Sequence, residues 1–209
     1  MPTSQLYQTM VDDSGIFKKT EKMSQDEIAS KGESILEWKS FNISVIATLE
    51  NKVENNEKWE YLRVGCFIDG EPEWGYITGM KKNGQEDTLK AFIGGTKDDP
   101  CVYIYNERTG LNRIDMIDGP ADWTLSRDQV YLGDLAAYVS GEDTGILYAA
   151  GSYGPDPVAI SNEGNILWHS DIGLEGETIQ YMELTDNCIE VRYESGSMEH
   201  LEYNGKVMP

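Results

Sequence analysis

From Ser34 onward, apolar residues recur at every second position in short runs, and turn-forming residues separate the runs. A period of two places alternate side chains on opposite faces of an extended strand. In the first part of the chain the expected strands are Ile35–Trp38, Ile43–Leu49, Trp59–Ile68, Trp74–Met80, Leu89–Ile93, Val102–Tyr105 and Arg113–Ile117. Further on, Trp123–Ser126, Gln129–Leu132, Leu135–Ser140, Ile146–Ala150, Thr178–Leu184, Cys188–Glu194 and Met198–Tyr203 read the same way. The clearest unit is Pro157–Asp171. Val158 and Ile160 alternate with a small residue, Asn162-Glu163-Gly164 supplies a turn, and Ile166 and Trp168 resume the alternation, which is a β-hairpin pattern. The polar stretch Asn51–Lys58 is expected to be an exposed hairpin tip, and Lys82-Asn83-Gly84 and Gly141–Gly145 are expected turns. Tyr153–Pro157 reads as a stiff loop, because Pro155 and Pro157 both forbid continued pairing.

The first 33 residues differ. Residues 1–23 carry little pattern and are expected to form a tail. Ser24 and Glu27 have capping-box spacing, with Ile28 and Ala29 following and Gly32 placed to end a short helix. The expected organisation is a tail with one short helix over 1–33 and a single β-rich domain over 34–209, with no linker.

The hairpin pattern repeats. Turn glycines at Gly70, Gly110, Gly164 and Gly205 are spaced by 40, 54 and 41 residues, and the long interval spans the less regular region 119–156. Trp74 and Trp168 each lie four residues after their glycine, and Ile114 lies four after Gly110. A period of about 40 residues with four short strands per unit marks β-propeller blades. The stretch Val158-Ala-Ile-Ser-Asn-Glu-Gly-Asn-Ile-Leu-Trp168 resembles the blade motif of quinoprotein-like (PQQ-like) β-propellers, in which an Asp/Asn-x-x-Gly turn precedes a strand bearing Trp. The resemblance covers residues 59–209 at blade level and is specific in one or two copies. It implies an all-β, propeller-like fold. The 175 residues from Ile35 to Pro209, at about 40 per blade, make four to five blades. A β-sandwich with similar turn glycines is the alternative. No quinone- or metal-binding set of that family is reproduced, so no cofactor is expected.

Charge narrows the function. The formal net charge is −20, from 37 acidic and 17 basic residues. That balance excludes phosphate-backbone binding, which needs clustered Lys and Arg, and it steers a basic partner. Cys66, Cys101 and Cys188 each sit in a strand-like apolar run without C-x-x-C spacing, which reads as buried reduced thiols and a cytoplasmic setting. The N-terminal residues lack a signal-peptide pattern, and no apolar run is long enough to span a membrane.

No catalytic motif is present among the nucleophile-elbow, zinc-helix and phosphate-loop patterns. His169 and His200 lie beside repeat turns and read as surface or blade-edge residues. Acidic pairs such as Asp98-Asp99, Glu142-Asp143 and Glu71/Glu73 leave a hydrolase using two carboxylates as the last-ranked reading. The candidate partner-binding residues are Trp123, Tyr131, Tyr138, Glu142, Asp143 and Tyr153, aromatics set among acids in the irregular region. The expected function is therefore a non-enzymatic module that binds a basic protein, of the kind an immunity or inhibitor protein uses to mask a toxin. A lectin-like propeller is the alternative.

Overall fold

The computed structural model describes residues 10–11, 16–82, 88–133, 135–151, 157–170, 172 and 177–209. A six-stranded sheet comes first, built from β1 (Met10–Val11), β2 (Ile16–Thr20), β3 (Glu33–Ser40), β4 (Ile43–Glu54), β5 (Glu57–Ile68) and β6 (Glu71–Lys82), in the order β1-β2-β6-β5-β4-β3. The second sheet holds β7 (Leu89–Gly95), β8 (Pro100–Asn106), β9 (Gly110–Asp115) and β10 (Gly119–Ser126), in the order β10-β9-β8-β7. The third joins β11 (Leu135–Ser140), β12 (Leu147–Gly151), β13 (Val158–Ile160) and β14 (Ile166–His169) in sequence. The fourth joins β15 (Ile179–Leu184), β16 (Ile189–Tyr193) and β17 (Met198–Leu201), and Val207 adds a bridge to Leu201. Four small antiparallel sheets, with chain neighbours paired throughout except where β2 joins β6, make an all-β, propeller-like fold.

The chain divides into two compact units, Met1–Phe92 with Ile114–Asp122, and Ile93–Arg113 with Trp123–Pro209. In the first, α1 (Gln25–Ala29) starts at the expected capping box: Ser24 Oγ accepts from Glu27 N–H, and Glu27 accepts from Ser24 N–H at 2.7 Å. These bonds to Ser24 hold the Glu27 carboxyl below its ordinary pKa. Ile28 is fully buried among Met23, Phe67 and Ile77, so the helix belongs to the core of this unit. The second unit is organised around Tyr148, Ile179, Met182, Ile189, Val191, Tyr193 and Leu201.

Three local expectations are corrected. Part of the patternless N-terminus is strand, since β2 pairs with β6 from Ile16 opposite Met80 to Thr20 opposite Tyr76. The polar stretch Asn51–Lys58 is mostly strand as well. Pairing runs to Glu54 opposite Glu57, and only Asn55 and Asn56 turn, both at left-handed φ (52° and 64°). That is the turn geometry that matches strand twist, and Asn tolerates it. Gln129–Leu132 is not a strand. Gln129 and Val130 N–H both donate to Ser126 O, and the Gln129 side chain accepts from Ser126 N–H and Oγ, which closes a turn instead. The expected turn at 82–84 and loop at 153–157 fall largely outside the described residues.

The repeat is real but its second copy is displaced. Turn glycines at positive φ lead into β6 (Gly70), open β10 (Gly119), lead into β14 (Gly164) and, past β17, lead into the Val207 bridge (Gly205), with φ of +85°, +66°, +82° and +86°. Gly110 instead opens β9. With Gly119 in place, all three of Trp74, Trp123 and Trp168 lie four residues after a turn glycine. Each indole then reaches the next of these glycine turns. Trp74 Nε1 donates to Met116 O, Trp123 Nε1 to Asn162 O and Trp168 Nε1 to Tyr203 O, each at 2.9 Å. The ring faces lie where a Cβ would stand on Gly119, Gly164 and Gly205, at 3.1, 2.8 and 2.7 Å. A glycine is required there twice over, for its backbone angle and for the indole laid across it.

All three cysteines are free and buried. Burial pushes the thiols of Cys66 and Cys101 up to about 11, which leaves little thiolate at neutral pH. Iodoacetamide at pH 8 should therefore leave Cys66 and Cys101 unmodified in the folded protein and alkylate both in urea. Rapid native labelling read by peptide mass would refute this.

Candidate binding surface

The expected site residues fall into separate places. Trp123 is half-buried on β10, with its N–H on Asn162 O and its ring 5.8 Å from that of Tyr103, so it is engaged in the fold. Tyr131 is 46% exposed, its hydroxyl 3.4 Å from Glu107 Oε1 and its ring 4.8 Å from the Arg127 guanidinium. Tyr138, 41% exposed, lies on β11 opposite Ala149, and burial raises its pKa. Glu142 and Asp143 are exposed in the turn after β11, where Glu142 O accepts from Lys97 N–H. The structure thus groups Tyr138, Glu142 and Asp143 on one strand and its turn, and places Tyr131 with Arg127 and Glu107. Tyr153 lies outside the described residues.

Charge is unevenly shared. The second unit holds eighteen Asp and Glu against six Lys and Arg. Several of those bases are committed to partners. Arg113 is buried and donates to Asp99 Oδ2 at 2.9 Å, and Asn162 Nδ2 reaches the same oxygen. Burial opposes the Arg113 charge, but Cys101, Asp99 and Tyr103 outweigh it and raise its pKa. Burial and the Cys101 thiol push the Tyr103 hydroxyl far above the ordinary phenol value. Arg127 lies on Tyr131, and Arg192 on Tyr181 and Glu190. The surface left over is acidic and carries exposed rings.

Exposed groups that sequence pattern did not single out are Phe41 (97%), Tyr181 (44%) and Tyr203 (43%). Phe41 had a signal. It sits in Ser-Phe-Asn between two apolar runs, where a turn residue is expected. His169 is exposed, and His200 Nε2 is 3.7 Å from Glu190 Oε1. Among the described residues, no group of three His, Cys, Asp or Glu side chains is placed to hold a metal.

No family model and no curated protein matches the chain. Among solved structures, the chain is similar to the computationally designed Ika4 protein, at 13% identity and TM-score 0.54 over 82% of this chain and 91% of that one. Virginiamycin B lyase from Staphylococcus aureus matches at 15% identity and TM-score 0.47, over 88% of this chain and 60% of that one. The Neurospora crassa Pan2 WD40 domain matches at 14% and 0.47, over 95% and 57%. These are likenesses of fold.

Proposed function

We propose that the protein is a non-enzymatic binding module whose acidic second unit receives a basic protein partner, as an immunity or inhibitor protein would mask a basic toxin surface. The observation that carries this reading is the eighteen-to-six excess of acids in that unit, with Arg113 among the six buried on Asp99. Exposed rings at Tyr131 and Tyr138 supply rigid contact area among the acids, the composition that anchors protein interfaces. The blades are assigned to the quinoprotein-like type on the three copies of a turn glycine followed by Trp. A carbohydrate-binding propeller is the second reading, since Tyr138 offers an exposed ring on a sheet edge.

The test is direct titration of the purified product of the adjacent gene. Binding should weaken at least tenfold between about 50 and 300 mM salt, because exposed charges are screened over a Debye length of about 10 Å or less. The double variant Glu142→Lys, Asp143→Lys should weaken it again. Salt-insensitive binding, or no partner recovered from native lysate at low salt, would sink the reading. A glycan array lit by the parent and lost in Tyr138→Ala would favour the second.

A further inference from the structure

We propose that two neighbouring hairpin tips of the first sheet, Phe41-Asn42 and Asp69-Gly70, form a docking site for a tryptophan carried on a basic segment of the partner protein. This rests on the reading that the partner is a basic protein, and it specifies the partner's anchor.

The four turn octets are Phe67-Ile-Asp-Gly-Glu-Pro-Glu-Trp74, Met116-Ile-Asp-Gly-Pro-Ala-Asp-Trp123, Ser161-Asn-Glu-Gly-Asn-Ile-Leu-Trp168 and Glu202-Tyr-Asn-Gly-Lys-Val-Met-Pro209. Three of these turns are covered by an indole lying across the glycine and bonded to a carbonyl two or three residues before it. Gly70 has the same backbone angle as Gly205, +85° against +86°, yet a Cβ built on it meets no described atom within 4 Å. Trp74, Trp123 and Trp168 are all committed to the other three turns, and the fourth octet ends in Pro209 where the others have Trp. Among the four octets the first turn is thus the one without an indole, and it is exposed; Gly196, at φ +88° outside the octets, is likewise bare.

What stands beside it strengthens the case. Asp69 N–H donates to Asn42 O at 2.8 Å and Asn42 Nδ2 to Asp69 Oδ2 at 3.3 Å, so the two tips are tied together. Phe41 is held on the first tip at φ 50°, a left-handed angle that a bulky side chain rarely takes, with its ring 97% exposed. A strained backbone presenting a bare aromatic ring is a costly arrangement for a residue with only a structural task. An indole on Gly70 would have this second ring nearby to pack on. Asp69 and Glu71 are exposed and Glu73 is half-buried near Lys22, which leaves an acidic rim suited to Lys or Arg flanking the tryptophan.

The probe is the peptide Lys-Lys-Gly-Trp-Gly-Lys-Lys, titrated into ¹⁵N-labelled full-length protein at low salt beside the same peptide with Ala for Trp. Saturable shifts confined to the amides of residues 40–43 and 68–73, with at least a tenfold weaker response to the Ala peptide, are expected. Phe41→Gly should lose at least tenfold in affinity while melting no lower than the parent, because glycine accepts the left-handed angle. That separates lost docking from lost folding. Shifts scattered over the second unit's acids with either peptide would overturn the docking site and leave the basic-partner reading intact. Absence of binding by both peptides would overturn the docking site, while the basic-partner reading is decided separately by the titration with the adjacent gene's product. Concentration-dependent dimerisation in sedimentation that shifts the same amides would make a second copy the occupant and also overturn the proposal.

Discussion

Trp74→Ala should cost about 3–5 kcal/mol of stability, the range for removing a large buried aromatic side chain. Trp74 is 5% exposed and sits on β6, with its ring against Gly119 and its N–H on Met116 O. Alanine would remove the ring and leave a void in close-packed surroundings, where the lining loses contacts outright. The carbonyl would not be stranded, because Cys66 Sγ is also 3.1 Å from Met116 O. Trp74→Phe should therefore be far milder, at about 1–2 kcal/mol, since most of the ring survives and only one of two donors is lost. Urea unfolding with an unchanged slope reads both values from the shift in midpoint. A Trp74→Ala loss below about 1 kcal/mol would show that the indole is not a structural clasp.

Strand alternation made most of this fold legible before any coordinates, because a period of two survives whatever the strand packs against. Ser24 and Glu27 likewise announced the helix start through chemistry local to four residues. What pattern missed has physical causes. The strand Ile16–Thr20 is held by pairing with β6, a long-range contact that a short polar-ended segment does not advertise. Val130 and Tyr131 looked like a strand because of their side chains, but the Ser126–Gln129 hydrogen bonds decided the backbone. The repeat was misplaced at Gly110 because that glycine also ends a turn at positive φ. Ile-Asp-Gly at 68–70 and again at 117–119, each with Trp four residues past the glycine, was the sharper signal and lay in plain view.

The candidate surface was legible only in part. Acidic excess is a property of composition, and its concentration in the second unit follows from where the chain divides. Exposure is not a property of composition. Trp123, a candidate partner-binding residue because it stands among acids in the irregular region, is engaged by Asn162 and Gly164. The place of Phe41 between two apolar runs marks a turn, but its left-handed backbone angle and bare ring are visible only in the structure.

Gly164→Ala and Gly70→Ala should differ by about 2–3 kcal/mol, although the two glycines have φ within a few degrees, +82° and +85°. Each substitution pays the same left-handed cost, about 1–2 kcal/mol for a residue with a Cβ. At Gly70 nothing further is charged, because the new methyl meets no described atom within 4 Å. At Gly164 it would stand 2.8 Å from Cγ and Cδ2 of Trp123, closer than carbon atoms can settle. The indole cannot simply swing aside. Its N–H is held on Asn162 O at 2.9 Å, and its ring is tilted against Tyr103 at 5.8 Å. Moving it adds overpacking strain of about 1–3 kcal/mol and weakens a bond worth about 1 kcal/mol. Gly164→Ala should thus lose roughly 3–5 kcal/mol in all, and Gly70→Ala roughly 1–2. Equal losses in urea unfolding would mean that the Trp123 clasp yields to a methyl group. In that case an indole across a turn glycine would be incidental packing, and the uncovered turn at Gly70 would have no reason to accept one from a partner.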